Sequence, residues 1–106
     1  MKQYEVNISE NAAIDLETIY QNTFDLTKSE IIAKKQCNIL IDAINSLKQF
    51  PNRIKKVAKI QLDGEEIHCM PVGKYSVLFI KKNENVFVLD VLYGAGEAIQ
   101  KVFMKD

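Results

Sequence analysis

The chain has 106 residues, of which 47% are hydrophobic and 26% are charged, and its 14 basic and 14 acidic residues give a formal net charge of zero. A chain of this length has room for one domain, spanning residues 1–106, and for one hydrophobic core. The balanced charge argues against a protein that binds nucleic acid through a general basic excess.

The first twenty residues carry four acidic side chains and no continuous apolar run, so we expect neither a signal peptide nor a membrane span. We therefore expect a cytoplasmic protein with no membrane partner. Cys37 and Cys69 fall in different predicted elements. In a cytosolic chain, two such cysteines are expected to be free thiols.

The chain opens with a strand that leads into a helix. Tyr4, Val6 and Ile8 alternate with polar residues, which predicts a half-buried strand. Ser9 is suited to cap the helix that follows, which is predicted from Glu10 to about Asn22. The apolar face of this helix is predicted to consist of Ala12, Ala13, Leu16, Ile19 and Tyr20.

A second, longer helix is predicted after a short connection from Thr23 to Leu26. Thr27 and Glu30 have the spacing of a capping box, which predicts a helix start at Lys28. Pro51 predicts the helix end at Phe50. The apolar stripe of this helix is predicted to contain Ala33, Cys37, Leu40, Ile44 and Leu47, widened by Ile41.

The second half of the chain has the pattern of an antiparallel meander. A hairpin turn is predicted at Asp63-Gly64, and further turns at 71–74 and 82–85. The predicted strands are Val57–Leu62, Ile67–Met70, Tyr75–Lys82 and Val86–Tyr93. The last two are apolar on both faces, which is typical of strands in the centre of a sheet.

These elements predict an α+β fold, in which an N-terminal strand and an antiparallel helical hairpin pack on a mostly antiparallel sheet of four to five strands. The segment Glu97–Met104 has helical spacing and is predicted to form a short helix or an arm against the sheet.

His68 is the only histidine, so any acid–base role for imidazole depends on it. His68 and Cys69 are adjacent on a predicted strand and point to opposite faces, so they cannot bind one metal ion together. We expect no metal site and no cofactor, because Gly94-Ala95-Gly96 is also too short for a dinucleotide loop.

Polar and aromatic residues near the strand ends are the other candidates for a site. Tyr93 ends the last strand just before two glycines, where its hydroxyl could reach a concave surface. Asp90 interrupts an apolar strand, which predicts a structural partner such as a lysine. The residues predicted to contact a target or a partner are Arg53, Lys55, Lys56, Lys59, Tyr75 and Tyr93.

Segments along nearly the whole chain resemble the RelE/ParE family of bacterial type II toxin–antitoxin toxins. YEVNISENAAIDLETIY, from Tyr4, is similar to the opening strand and the S..A..DL..I helix of that family. LKQFPN, from Leu47, is similar to its L..FP break. PVGKYSVLF, from Pro71, and VLDVLYGAGE, from Val88, resemble its vG.Y.V.Y and V..I.YG.RD strands.

The resemblance implies a small toxin that a cognate antitoxin neutralises by wrapping around it. RelE-like members cut ribosome-bound mRNA, and ParE-like members inhibit DNA gyrase. Relatives carry basic residues before the vG.Y strand and after the last strand, where this chain has His68 and Cys69, then Ala95 and Gly96. These departures favour a ParE-like toxin that binds a protein target, with DNA gyrase as the candidate.

Two alternatives stay open at this point. A metal-independent endoribonuclease acting on the ribosome needs a base, an acid and cations, for which His68, Lys74 and Tyr93 are the candidate catalytic residues. A degenerate toxin would instead keep only its antitoxin-binding surface. The sequence also leaves a homodimer open.

Overall fold

The protein is described by a computed structural model, which covers residues 3–49, 56–62 and 64–94, with the backbone alone given for 56–62. In this part of the chain, two helices and five strands follow one another, with a short 3₁₀ turn after the second helix. The elements are β1 (Glu5–Ile8), α1 (Glu10–Thr27), α2 (Glu30–Asn45), the 3₁₀ turn (Ser46–Lys48), β2 (Lys56–Leu62), β3 (Glu65–Val72), β4 (Tyr75–Lys82) and β5 (Asn85–Tyr93).

The strands form one mixed sheet in the order β1-β5-β4-β3-β2. β1 runs parallel to β5, and all other neighbours are antiparallel. The central position of β4 agrees with its sequence, because the five consecutive residues from Ser76 to Ile80 are buried. The predicted α+β architecture is therefore confirmed.

Alternation along β4 divides the core between the two faces of the sheet. Val77 and Phe79 belong to the main core, which α1 and α2 cover. Leu78 and Ile80 belong to a second cluster with Ile67. The main core also contains Tyr4, Ala12, Ile19, Leu40, Ile44, Leu47, Met70, Val86, Val88 and Val91.

The turn between the helices lies later in the chain than predicted. α1 continues to Thr27. The hydroxyls of Thr23 and Thr27 donate to the carbonyls four residues earlier, at 2.7 and 2.8 Å, which satisfies both hydroxyls inside the helix. Lys28 closes α1 with φ 58°. Ser29, whose hydroxyl accepts from the Ile32 N–H at 3.2 Å, caps α2 in place of the predicted capping box.

α2 ends at Asn45, earlier than the predicted Phe50, which lies outside the described residues. The Ser46 hydroxyl donates to the Ala43 carbonyl at 2.6 Å, and the chain tightens into the 3₁₀ turn. Leu47 is fully buried there, as predicted. Ile41, which was expected to widen the apolar stripe, is instead 38% exposed, because it lies on the flank of that stripe.

β3 is longer than the predicted Ile67–Met70 and includes Pro71. Pro71 pairs with Ser76 of β4, whereas the pairs between β2 and β3 extend only from Glu65 to His68. A proline is compatible with this position because, among the residues that the structure describes, no partner on the β2 side requires its missing N–H. The turn to β4 is consequently the two residues Gly73-Lys74. The predicted terminal segment, Glu97–Met104, lies outside the described residues.

A bulge in β5 joins the sheet to the start of α1. Leu89 is an extra residue in the β4–β5 pairing, where the register shifts. The Ser9 hydroxyl donates to the Leu89 carbonyl at 2.8 Å, and the Ser9 N–H donates to the Val88 carbonyl at 3.0 Å. Asp15 accepts from the Val91 N–H at 2.9 Å. Two side chains of the S..A..DL..I segment, Ser9 and Asp15, thus bind backbone groups of β5 at and just beyond the bulge.

Candidate partner-binding site

Tyr75 and Tyr93 lie together at the end of the sheet where β4 begins and β5 ends. They are direct partners in the β4–β5 register, and their rings make an edge-to-face contact with centroids 5.5 Å apart. Tyr75 is half-buried against the main core, whereas Tyr93 is 70% exposed. The pair therefore consists of one ring anchored on the core and one ring exposed at the end of the sheet.

The backbone beside these tyrosines is held by two hydrogen bonds to Gly94. The Gly94 N–H donates to the Lys74 carbonyl at 2.8 Å, and the Ser76 hydroxyl donates to the Gly94 carbonyl at 2.6 Å. Gly94 has φ +123°, a conformation that other residues rarely adopt. This conformation explains why a glycine follows Tyr93 at the end of the last strand, because Gly94 turns the chain directly after the tyrosine. Lys74, Tyr75 and Tyr93 form what we call the tyrosine end of the sheet.

His68 lies apart from the tyrosine end. On β3 it is four residues before Val72, the partner of Tyr75, which corresponds to about 13 Å at the usual rise of a strand. Its ring stacks on Phe79, with centroids 5.0 Å apart and an angle of 15°, and it is 7% exposed. The structure thus brings Lys74 and Tyr93 together and leaves the third catalytic candidate at a distance.

A polar cavity of about 180 Å³ adjoins His68, and Glu65, Glu66 and Lys81 also line it. The Lys81 ammonium lies 5.4 Å from the centroid of the Tyr4 ring, in a cation–π contact. Within the described residues, no group of three or more His, Cys, Asp or Glu side chains is arranged to hold a metal ion.

Cys69 lies on the opposite face of β3 from His68, as alternation predicts. It packs on the second cluster of Ile67, Leu78 and Ile80. Cys37 packs at the interface of the helices, where its thiol donates to the Leu16 carbonyl at 3.6 Å and burial raises its pKa. Both cysteines are free thiols.

The structure describes only part of the basic cluster that was predicted to contact a target or a partner, which consists of Arg53, Lys55, Lys56 and Lys59. Arg53 and Lys55 lie outside the described residues. Lys56 and Lys59 belong to β2, where only the backbone is described, and Lys56 pairs with His68. Their role in binding stays a prediction.

Asp90 has an acidic partner, not the predicted lysine. Desolvation raises the pKa of the Asp90 carboxyl, and the charge of Asp15 and a hydrogen bond with Asp15 raise it further. Asp15 is 75 positions earlier in the chain, so sequence spacing gives no sign of this pair. The Asp15–Asp90 pair joins α1 to β5 next to the bulge.

Exposed apolar residues of the helical hairpin were also not predicted. Leu26 and Ile31, on either side of the turn between the helices, are 86% and 81% exposed. The position of Ile31 could have revealed it, because it does not fit the three-and-four spacing of the α2 stripe. Leu26 gives no such sign, because it lies seven residues after Ile19 and fits the spacing of the α1 face. In the described part of the chain, no helix is long and apolar enough to span a bilayer.

Comparison with known proteins identifies the fold. The ParDE toxin–antitoxin system of P. aeruginosa contains a chain with a TM-score of 0.73 and 17% identity, covering 88% of this chain and 98% of that one. A chain of the RelBE2 complex from Mycobacterium tuberculosis gives a TM-score of 0.57 at 18% identity, covering 86% and 98%. A chain of the archaeal RelE–RelB complex from Pyrococcus horikoshii gives 0.60 at 13% identity, covering 86% and 94%.

The chain therefore has the fold of RelE/ParE-like toxins. No protein-family model matches the sequence, and no curated protein is similar to it in sequence. The resemblance seen in the sequence motifs is thus supported by the three-dimensional fold.

Proposed function

We propose that the chain is the toxin of a type II toxin–antitoxin system, that a cognate antitoxin neutralises it, and that it acts in the ParE manner by binding a protein target. DNA gyrase is the candidate target. The observation that carries the proposal is the likeness of the fold to chains from three toxin–antitoxin complexes, each similar over at least 94% of its own length.

The exposed side chains support protein binding. Tyr93, Leu26 and Ile31 are between 70% and 86% exposed, although large aromatic and aliphatic groups normally gain most from burial. Tyrosine is also among the residues that contribute most to protein–protein affinity. The tyrosine end is therefore the candidate target-binding surface. The helical hairpin and the sheet are the candidate surface for the antitoxin.

The placement of the candidate catalytic groups favours binding over RNA cleavage. A general acid and a general base must both come within hydrogen-bonding reach of one phosphodiester. The distance of about 13 Å along the sheet between His68 and the tyrosine end does not suit that requirement. Cys69, at a position where relatives carry basic residues, packs on an apolar cluster and supplies no cation.

Induced expression with parallel assays of DNA supercoiling and transcript ends tests this mechanism. We expect growth arrest, a loss of negative supercoiling in a reporter plasmid, and intact transcripts. Cleaved transcripts with unchanged supercoiling would instead support the endoribonuclease. Antitoxin binding without growth arrest would support a degenerate toxin.

Two variants test whether the growth arrest depends on the tyrosine end. Tyr93→Ala is expected to abolish the arrest and leave the fold intact, because the side chain is 70% exposed. Phe87→Ala is the matched control, since Phe87 is a partly exposed aromatic residue on the same strand. Equal loss of activity in both variants would argue against a specific role for Tyr93.

A further inference from the structure

α2 has an exposed stripe on the side opposite its buried face. Ala33, Leu40 and Ile44 are fully buried, whereas Ile32 and Ile39 are 48% and 46% exposed. The exposed residues Ile32, Lys35, Ile39 and Asp42 follow one another at spacings of three, four and three. Residues at these spacings lie on one side of a helix, so they form a continuous stripe, which Ile31 extends at 81% exposure.

The charges of this stripe are complementary to a second copy of the same stripe. Lys35 lies four residues before Ile39, and Asp42 lies three residues after it. If two copies of α2 pack antiparallel about a two-fold axis beside Ile39, Lys35 of each copy faces Asp42 of the other. Helices in contact are about 8–10 Å apart, which a lysine and an aspartate can span together. A parallel arrangement would place like charges opposite each other.

We propose that α2 forms a homodimer interface, in which the stripe of Ile32, Lys35, Ile39 and Asp42 packs antiparallel on the stripe of a second copy. A two-fold interface uses one surface patch on both subunits and requires that patch to complement itself. The stripe meets this requirement, with the two Ile39 side chains at the axis and a Lys35–Asp42 pair on each side.

The exposed side of α1 provides an internal comparison. Ile14 is 52% exposed and has charged neighbours at the same two spacings, Glu10 four residues before it and Glu17 three residues after it. The same antiparallel arrangement would place Glu10 of one copy against Glu17 of the other. Like charges in that position repel, so exposure of an isoleucine alone does not make a helix suitable for self-association.

The interface is small, and the dimer is consequently weak. A helix of 16 residues is about 24 Å long, and one helix face of that length provides less area than the roughly 800 Å² per partner of a standard interface. The dimer should therefore form in a concentration-dependent manner. This inference concerns the chain alone and does not depend on toxin activity.

Sedimentation velocity over a wide concentration series tests the dimer on purified protein made by cell-free synthesis. The wild-type chain is expected to shift from monomer to dimer as its concentration rises. Lys35→Glu should raise the dissociation constant about tenfold or more, because it replaces two attractions with two repulsions. The double variant Lys35→Glu/Asp42→Lys should restore association, because it exchanges the two charges.

Ile14→Glu is the control and should leave the dissociation constant unchanged, while circular dichroism verifies that every variant is folded. A wild-type chain that stays monomeric at all concentrations would overturn the proposal. So would a dimer that Lys35→Glu does not weaken, a charge exchange that fails to restore association, or a dimer that Ile14→Glu disrupts as strongly as Lys35→Glu.

Discussion

Ser9 caps α1 and also binds the β5 bulge, and this double role predicts an unusually large loss of stability when this one half-buried serine is replaced. Its hydroxyl accepts from the Ala12 N–H at 3.0 Å and donates to the Leu89 carbonyl at 2.8 Å. Loss of an N-cap costs about 1 kcal/mol, and loss of the second hydrogen bond costs about 1 kcal/mol more. Ser9→Ala should therefore lower the free energy of unfolding by about 2 kcal/mol.

Ser29 provides a matched control within the same chain. It caps α2 through a bond from the Ile32 N–H, and its hydroxyl has no contact with a strand in the described residues. Ser29→Ala should cost only the cap, about 1 kcal/mol. For a domain of this size, thermal unfolding should show decreases in Tm of roughly 8 °C for Ser9→Ala and 4 °C for Ser29→Ala.

A third variant, Ser9→Thr, keeps the hydroxyl and should remain close to wild-type stability. The reasoning would be refuted if Ser9→Ala and Ser29→Ala lost the same stability, because the bond to the Leu89 carbonyl would then contribute nothing. It would also be refuted if Ser9→Thr were as unstable as Ser9→Ala.

Three further predictions follow from the fold. Because the pKa of Asp90 is raised in the folded state, the contribution of this carboxyl to stability is fully present below its ordinary pKa of about 4 and is lost as the pH rises through the higher folded value. Asp90→Asn should therefore increase Tm at pH 7 and have little effect in acid, and a Tm gain that does not vary with pH would contradict this. Gly94→Ala should cost about 1–3 kcal/mol in urea unfolding, because alanine is strained at φ +123°; an unchanged midpoint would contradict the strain. Leu40→Ala should cost about 2–5 kcal/mol, because Leu40 is fully buried, whereas Ile41→Ala at the exposed flank should cost much less; equal costs would contradict the burial difference.

Elements that depend on local patterns were predicted well. Apolar residues on both faces of Tyr75–Lys82 placed this strand at the centre of the sheet, where β4 lies. Alternation also placed His68 and Cys69 on opposite faces. These inferences succeeded because the periodicity of a strand directly determines which side chains share a face.

Features that depend on other parts of the chain were not predicted. The helix turn was placed too early because Thr27 and Glu30 have the spacing of a capping box, whereas Thr27 is the last residue of α1 and Ser29 caps α2. The partner of Asp90 was missed because the strand register and helix packing bring Asp15 to it. The two tyrosines were each placed at a strand end, but their contact depends on the β4–β5 register.

Growth after induced expression, alone and together with the neighbouring gene of the same operon, tests the central claim most directly. The account predicts that the chain alone arrests growth, and that the neighbour's product restores growth and co-purifies with it as a stable complex. Unaffected growth on expression of the chain alone, with no co-purification of the neighbour's product, would contradict the proposal that this protein is the toxin of a toxin–antitoxin pair.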